Sequence, residues 1–114
     1  MITIPASLKP KSRVQDLKER LDWGEPALTI IDVRSREAFN LSHIMGAVSI
    51  PLNELVGQVQ MNFELERDIY VYGSSDEETA IASTLLSKAG YQNVAELIGG
   101  LTAWKAAGFQ IEGN

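Results

Sequence analysis

The chain has 114 residues, of which 45% are hydrophobic and 22% are charged, a composition that suits one globular domain over residues 1–114. It contains no cysteine, which excludes disulfides, thiolate metal sites and cysteine nucleophiles. The formal net charge is −5, and residues 21–114 carry 13 acidic against 5 basic residues, which argues against nucleic acid or an anionic membrane as the main partner.

The first twenty residues differ from the rest because they carry five basic and two acidic side chains. This segment is either an interaction patch or the solvated flank of a helix. Residues 1–5 lack the charged and apolar regions of a signal peptide, and no apolar run reaches the ~18 residues that span a bilayer. We therefore expect a soluble cytoplasmic protein.

Helical and strand patterns alternate along the chain. Apolar residues at helical spacing follow Ser12, a candidate capping residue with Gln15 as its partner, and predict a helix that ends at Gly24 and Pro26. The nearly continuous apolar run over 27–33 predicts a strand that is covered on both faces. The remaining predicted elements are a helix capped by Ser35, a strand at 47–50, a helix opened by Asn53, a strand at 69–72, a helix at 79–89, a strand at 94–97 and a helix at 101–107.

This alternation predicts an α/β fold in which a central parallel sheet of about five strands carries helices on both faces. The helix over 79–89 has the clearest apolar face, and it should end at Gly90. Trp104 is predicted to lie in the core, and Trp23 is either an interface anchor or partly buried. The residues predicted to face inward from the helix over 79–89 are Ile81, Ala82, Leu85, Leu86 and Ala89.

The segment 69–80 is the most informative part of the chain, because it predicts a buried strand, a tight loop and a helix start. Such a loop directs backbone N–H groups at one point and favours anion binding. In parallel sheets, ligands bind beyond the carboxyl ends of the strands, where this loop should lie. Its residues are Gly73, Ser74, Ser75, Asp76, Glu77 and Glu78, so it carries three carboxylates.

Three sequence phrases occur in order around this loop. The first is Asp32-Val33-Arg34, followed by His43-Ile44, Gly46-Ala47 and Ile50-Pro51; the second is the segment 69–89; the third is Gly90-Tyr91, Asn93-Val94, Gly99-Gly100 and Trp104. Together they resemble the rhodanese-like domain family, which is known for sulfur transfer and is shared with a group of phosphatases. The resemblance covers about Ser12 to Gly108 and implies a three-layer α/β domain.

The resemblance also implies a cysteine nucleophile at the end of the third strand, and that position is Gly73 here. Sulfur transfer needs a polarizable thiolate, which glycine does not supply. Thiosulfate and phosphate esters are anions, and one carboxylate about 5 Å from such a charge costs on the order of 3 kcal/mol at an effective dielectric near 20. We therefore expect this chain to lack enzymatic activity.

Two interpretations of the acidic loop stay open. Ser75 and Glu78 have capping-box spacing, as do Ser74 and Glu77, so the carboxylates could serve only to stabilise the helix start. Alternatively, the loop also contacts a cationic partner. Adjacent side chains at a helix start point in different directions, so we predict no metal site and no cofactor.

Three further residues are predicted at the rim of the sheet: Asp32, Arg34 and His43. The first two follow a strand and are expected to bond rim backbone groups, with anion contact by Arg34 as the alternative. His43 is expected to pack or hydrogen-bond near a turn rather than to act as a general base.

The function predicted from these features is that of an inactive regulatory or protein-binding module, whose acidic loop receives a basic segment of another protein or of a neighbouring domain. The alternatives are residual sulfurtransferase or phosphatase activity through Ser74 or Ser75, and a structural domain that supports its neighbours in a longer protein.

Overall fold

The computed structural model describes residues 8–24 and 27–113. The predicted role of Pro26, and the parts of the predicted domain at residues 1–7 and 114, lie outside these ranges. The strands are β1 (Lys11–Ser12), β2 (Leu28–Asp32), β3 (His43–Ile44), β4 (Val48–Ser49), β5 (Asp68–Tyr72), β6 (Val94–Leu97) and β7 (Ile111–Glu112). The helices are α1 (Val14–Trp23), α2 (Arg36–Leu41), α3 (Leu55–Asn62), α4 (Asp76–Lys88) and α5 (Gly100–Ala106), and a 3₁₀ turn spans Leu52–Glu54.

Five strands form the central sheet in the order β1-β6-β5-β2-β4, and every pair in it is parallel. β5 pairs with β2 along its whole length, with Asp32 opposite Tyr72. This confirms the predicted α/β fold with a parallel sheet of about five strands. It also brings the carboxyl end of β5, and the loop that follows it, beside the carboxyl end of β2.

Two apolar clusters cover the two faces of the sheet, as the strand pattern predicts for doubly covered strands. On one face α3 and α4 pack on β2 and β5, and on the other α1 and α5 do so. The first cluster contains Ile31, Val71, Leu55, Val59, Ala82 and Leu86. The second contains Ile30, Tyr70, Tyr72, Val14, Leu17 and Trp104. Trp104 is 2% exposed, so its predicted core position is confirmed.

A second, two-stranded sheet was not predicted from the sequence. β3 and β7 pair antiparallel, with His43 opposite Glu112. Two-residue strands carry too short an alternation to be recognised by pattern. Trp104 reinforces this region because its Nε1–H donates to the carbonyl of Gln110 at 2.8 Å.

Three local predictions were wrong. The helix predicted to open at Asn53 begins at Leu55, because Asn53 lies within the preceding 3₁₀ turn. α1 is capped by Arg13 rather than by Ser12, because the carboxylate of Asp16 accepts the Arg13 N–H at 2.9 Å while the Ser12 hydroxyl donates to the Lys9 carbonyl. Ile81 does not face inward, since it is 53% exposed on the outer side of α4. The apolar spacing of α4 is compatible with an inward or an outward Ile81. In the structure the sheet contacts Ala82 and Leu86 instead.

Candidate functional site

The loop 73–75 connects β5 to α4 at the carboxyl edge of the sheet. Tyr72 and Gly73 are buried, and the chain reaches the surface at Ser74. Ser75 is extended, with φ −147° and ψ 163°, and caps α4, which begins at Asp76. This is the strand–loop–helix arrangement that the sequence predicted.

The N–H group of Gly73 points at the first turn of α4 and donates to the hydroxyl of Thr79 at 2.8 Å. That hydroxyl donates in turn to the carbonyl of Ser75 at 3.0 Å. Thr79 is 1% exposed, so this short chain of hydrogen bonds is closed to solvent. Sequence reasoning missed Thr79 as a site residue; the signal was a hydroxyl one helical turn after the cap.

The N–H group of Ser74 donates to Oε1 of Glu78 at 2.7 Å. The Ser75 hydroxyl accepts the N–H of Glu78 at 3.2 Å, so Ser75 and Glu78 do meet as the capping-box spacing indicated. The reciprocal bond differs from that motif, because the Glu78 carboxylate accepts from Ser74 rather than from the capping residue itself. The helix start therefore binds a carboxylate of its own chain where an anion would otherwise bind.

Glu78 also fills the space beside Gly73. A Cβ built on Gly73 would lie 2.5 Å from Oε1 and 2.9 Å from Cγ of Glu78. The backbone of Gly73 itself does not require glycine, since its φ is not positive. The three atoms nearest to that Cβ all belong to the Glu78 side chain, so any side chain at position 73 would first meet Glu78.

The other two carboxylates of the loop have different environments. Asp76 accepts the N–H of Gly99 at 2.9 Å and so ties the start of α4 to the turn before α5. Gly99 and Gly100 have φ values of +80° and +50°, a conformation that favours glycine. Glu77 is exposed in the first turn of α4, where its charge interacts favourably with the helix dipole.

A pocket of about 320 Å³ opens between the loop and the start of α5. It is lined by residues 73–76, by residues 99–102 and by Arg34. The Arg34 cation and the loop residues 73–76 therefore line the same pocket, and the acidic loop forms one of its walls.

Arg34 is held in place by Asp32, which is fully buried. Its Nε lies 3.0 Å and its Nη2 lies 2.7 Å from the two carboxylate oxygens, and Nη2 also donates to the carbonyl of Ser42 at 2.7 Å. Burial disfavours the Arg34 cation, but the hydrogen bonds and the charge of Asp32 outweigh that cost and raise the pKa of the guanidinium. The pair thus bonds rim backbone groups as expected, while Arg34 also lines the pocket.

His43 lies in β3, apart from the residues that line this pocket. Its ring stacks on Phe39 with centroids 3.6 Å apart, and its Nδ1 lies 2.7 Å from the Phe39 carbonyl. Its Nε2 lies 3.5 Å from the carboxylate of Glu112 in β7. The ring therefore has packing and hydrogen-bonding partners next to the turn before β4.

Of the predicted site residues, the structure brings Arg34 together with Gly73, Ser74, Ser75 and Asp76. Asp32 does not line the pocket, but its carboxylate binds Arg34, which does. Glu77 is exposed at the start of α4. The carboxylate of Glu78 accepts the Ser74 N–H within the loop. Within residues 8–24 and 27–113 no cluster of three or more metal-ligating side chains occurs. No helix in the same described ranges is long and apolar enough to cross a membrane.

A parallel five-stranded sheet covered by helices on both faces, with a tight strand-to-helix loop after its central strand, defines a three-layer α/β domain. The family model of the rhodanese-like domain matches residues 13–107, and the chain belongs to that family. In an active member the position of Gly73 would hold the nucleophilic cysteine, and this chain has no cysteine.

Solved structures and curated sequences agree with this assignment. The crystal structure of the Alr3790 protein from Anabaena sp. is 53% identical, with a TM-score of 0.88 over 90% of this chain and 91% of that one. The adenylyltransferase and sulfurtransferase uba4 of Ogataea parapolymorpha is 33% identical over 75% of this chain and 21% of its own length. The putative sulfur carrier protein YrkF of Bacillus subtilis is 32% identical over 87% of this chain and 52% of its own length. The chain thus spans between a fifth and about half of these curated relatives.

Proposed function

We propose that this chain is a rhodanese-like domain without sulfurtransferase or phosphatase activity, and that it acts as a protein-binding or regulatory module through the acidic loop 73–78. The observation that carries the proposal is that the loop binds its own side chains. Thr79 accepts the N–H of Gly73, and Glu78 accepts the N–H of Ser74. An incoming thiosulfate or phosphate ester would have to displace a carboxylate and would find no thiolate.

The outer surface of the same loop suits a basic ligand. Asp76 and Glu77 are exposed at the start of α4, and Asp76 is fixed by its bond to Gly99. Lysine or arginine side chains of a partner would pair with these carboxylates, and the adjacent pocket of about 320 Å³ would receive part of the segment. The partner is a basic segment of another protein or of a neighbouring domain. The uba4 protein and YrkF are longer than this chain, which is compatible with a neighbouring domain.

A synthetic peptide of alternating arginine and glycine, labelled with fluorescein, tests the loop by fluorescence anisotropy. Asp76→Asn with Glu77→Gln removes two exposed charges and keeps an acceptor for the Gly99 N–H. Glu64→Gln with Glu66→Gln removes two exposed charges at the other end of β5. We expect the first double variant to bind the peptide about tenfold more weakly and the second to bind nearly as the wild type. Equal losses in both would mean that only net charge matters, and would overturn the proposal.

Residual catalysis is the second candidate, and the names of the relatives, a sulfurtransferase and a sulfur carrier, favour testing it. Ser74 and Ser75 are the exposed hydroxyls of the loop. The Ser75 hydroxyl already accepts the Glu78 N–H and has no histidine beside it among the pocket residues. A cyanide-dependent thiosulfate assay and a phosphate-ester assay should show no turnover. Turnover that is lost on Ser74→Ala or Ser75→Ala would replace the binding proposal with an enzymatic one.

The remaining features of the proposal are a cytoplasmic location, the absence of a cofactor, and a partner that is neither nucleic acid nor membrane. The acidic body of the chain supports the exclusion of nucleic acid and of an anionic membrane as partners. Peptide binding that weakens with added salt is expected, because exposed ion pairs are screened over about 10 Å at 0.1 M ionic strength.

A further inference from the structure

The outer face of α4 carries an apolar side chain that the fold leaves uncovered. Ile81 is 53% exposed, although its neighbours Ala82 and Leu86 are fully buried against the sheet. Around it runs a shallow groove of about 360 Å³, lined by Ala80, Ile81, Thr84, Leu85 and Lys88. These positions repeat at three- and four-residue spacing and so form one stripe along the helix.

Opposite charges stand at the two ends of this stripe. Glu77 lies in the first turn of α4, one helical turn before Ile81, and Lys88 lies in the last turn. Both side chains are exposed. They are about 16 Å apart along the helix axis, since each residue advances the helix by about 1.5 Å.

The stripe of one copy is complementary to the same stripe of a second copy in the antiparallel orientation. If two copies of α4 run antiparallel about a two-fold axis between Ala82 and Ser83, Ile81 of one copy meets Thr84 of the other. Ala80 then meets Leu85, and Glu77 meets Lys88. Every residue of the stripe has a suitable counterpart, and each charge pair occurs twice because a two-fold contact uses the same patch on both copies.

We propose that this face of α4 is the contact between two copies of this chain, which associate as an antiparallel helix pair. The charge complementarity selects a second copy as the occupant, because a parallel pairing would place Glu77 against Glu77 and Lys88 against Lys88. One face of a helix is small compared with stable interfaces, so the dimer is weak and reversible. We expect a dissociation constant of about 0.1–1 mM.

The inference shares Glu77 with the proposed function, but the dimer also depends on Ile81 and Lys88, which lie outside the acidic loop. Lys88→Glu should weaken the dimer about tenfold and leave binding of the basic peptide intact. Loss of peptide binding in the double variant Asp76→Asn with Glu77→Gln would test the acidic loop and would leave the proposed dimer contact of Ile81 untested. The two proposals therefore fail separately.

Charge reversal tests the pairing by sedimentation equilibrium at chain concentrations up to about 1 mM. At about 1 mM the wild type should have a weight-average mass well above its monomer mass of 12.5 kDa. Glu77→Lys alone and Lys88→Glu alone should each weaken the dimer about tenfold, because both symmetric pairs become repulsive. An equimolar mixture of the two variants should dimerise again, since the lysine introduced at position 77 of one variant then faces the glutamate introduced at position 88 of the other.

Matched controls exclude a general effect of charge or of helix stability. Glu37 lies in the first turn of α2 and Lys105 in the last turn of α5, so their reversal perturbs helix dipoles in the same way. A mixture of Glu37→Lys and Lys105→Glu should show no new association beyond the wild type. Ile81→Ser should abolish the dimer and leave the thermal midpoint nearly unchanged, because that side chain is exposed. A wild type that stays monomeric at 1 mM, or a mixture that fails to dimerise, overturns the proposal.

Discussion

The carboxylate of Glu78 lies where a side chain on residue 73 would begin. An ideal Cβ on Gly73 would be 2.5 Å from Glu78 Oε1, the same atom that accepts the Ser74 N–H at 2.7 Å. One side chain therefore takes both the space of the family nucleophile and one of the N–H donors of the loop. A side chain at position 73 can therefore be accommodated only if the Glu78 side chain moves.

Gly73→Cys alone should give no measurable sulfurtransferase activity and should lower the free energy of unfolding by about 1–2 kcal/mol. The new Cβ forces Glu78 to leave its position, which loses the bond to Ser74 and costs packing energy. A thiol beside that carboxylate would also have a raised pKa, because a nearby negative charge disfavours the thiolate. Urea unfolding and the cyanide-dependent thiosulfate assay measure the two effects.

The double variant Gly73→Cys with Glu78→Ala should regain most of that stability and should react faster with an iodoacetamide probe at pH 8. Gly73→Cys with Glu77→Ala is the control, because Glu77 is exposed and does not contact position 73. Equal reactivity of the single variant and both double variants would show that Glu78 does not control this position.

Glu78→Ala in the chain that keeps Gly73 should open the loop to anions. The Ser74 N–H then lacks its acceptor, and Ser74 and Arg34 both line the adjacent pocket. Titration with thiosulfate, followed by ¹⁵N NMR, should shift the Ser74 amide with a dissociation constant of about 1–10 mM, typical of a single weak anion site. Wild type and Glu77→Ala should show no saturable shift at Ser74. A saturable shift in the wild type would mean that Glu78 does not block the site.

The sheet and the placement of the loop could be predicted because they depend on patterns that extend over many residues. Apolar runs such as 69–72 are strand-like whatever their neighbours are, and parallel pairing then places their carboxyl ends at one edge. The Ser75–Glu78 spacing likewise indicated a capped helix start. In these cases local sequence and tertiary structure favour the same arrangement.

Other features depended on contacts between distant segments and could not be predicted. The bond from Asp76 to the Gly99 N–H joins residues 23 positions apart, and β3 pairs with β7 only because α5 returns the chain to it. The exposure of Ile81 depends on which side of α4 meets the sheet. The cap of α1 was misassigned because Ser12 is used by the Lys9 carbonyl, a competing bond that the spacing does not reveal.

Arg34→Gln should destabilise the protein by about 3–5 kcal/mol, because it leaves the fully buried carboxylate of Asp32 without its cation. Arg36→Gln is the control, since its pair with Glu54 is exposed and its loss should change the free energy of unfolding very little. Asp32→Asn added to Arg34→Gln should recover part of the loss, which a double-mutant cycle in urea would measure. A similar small loss for Arg34→Gln and Arg36→Gln would show that the Asp32 carboxylate finds another partner.

Asp16→Asn should lower stability by about 1 kcal/mol at pH 7 and by progressively less as the pH falls below about 3.9, the ordinary pKa of an aspartate, because the carboxylate form caps α1. Burial opposes the Asp16 charge, but the Arg13 N–H and the charges of Arg13 and Lys9 outweigh it and lower the pKa of this carboxyl in the folded protein. A lowered pKa means that the stabilisation is complete above the unfolded value and disappears as pH falls through the folded value. Urea unfolding of both proteins across this range measures the difference. Glu19→Gln, an exposed change on the same helix, is the control and should show no such pH dependence. A difference in the free energy of unfolding between Asp16→Asn and wild type that stays constant with pH would rule out a charged cap.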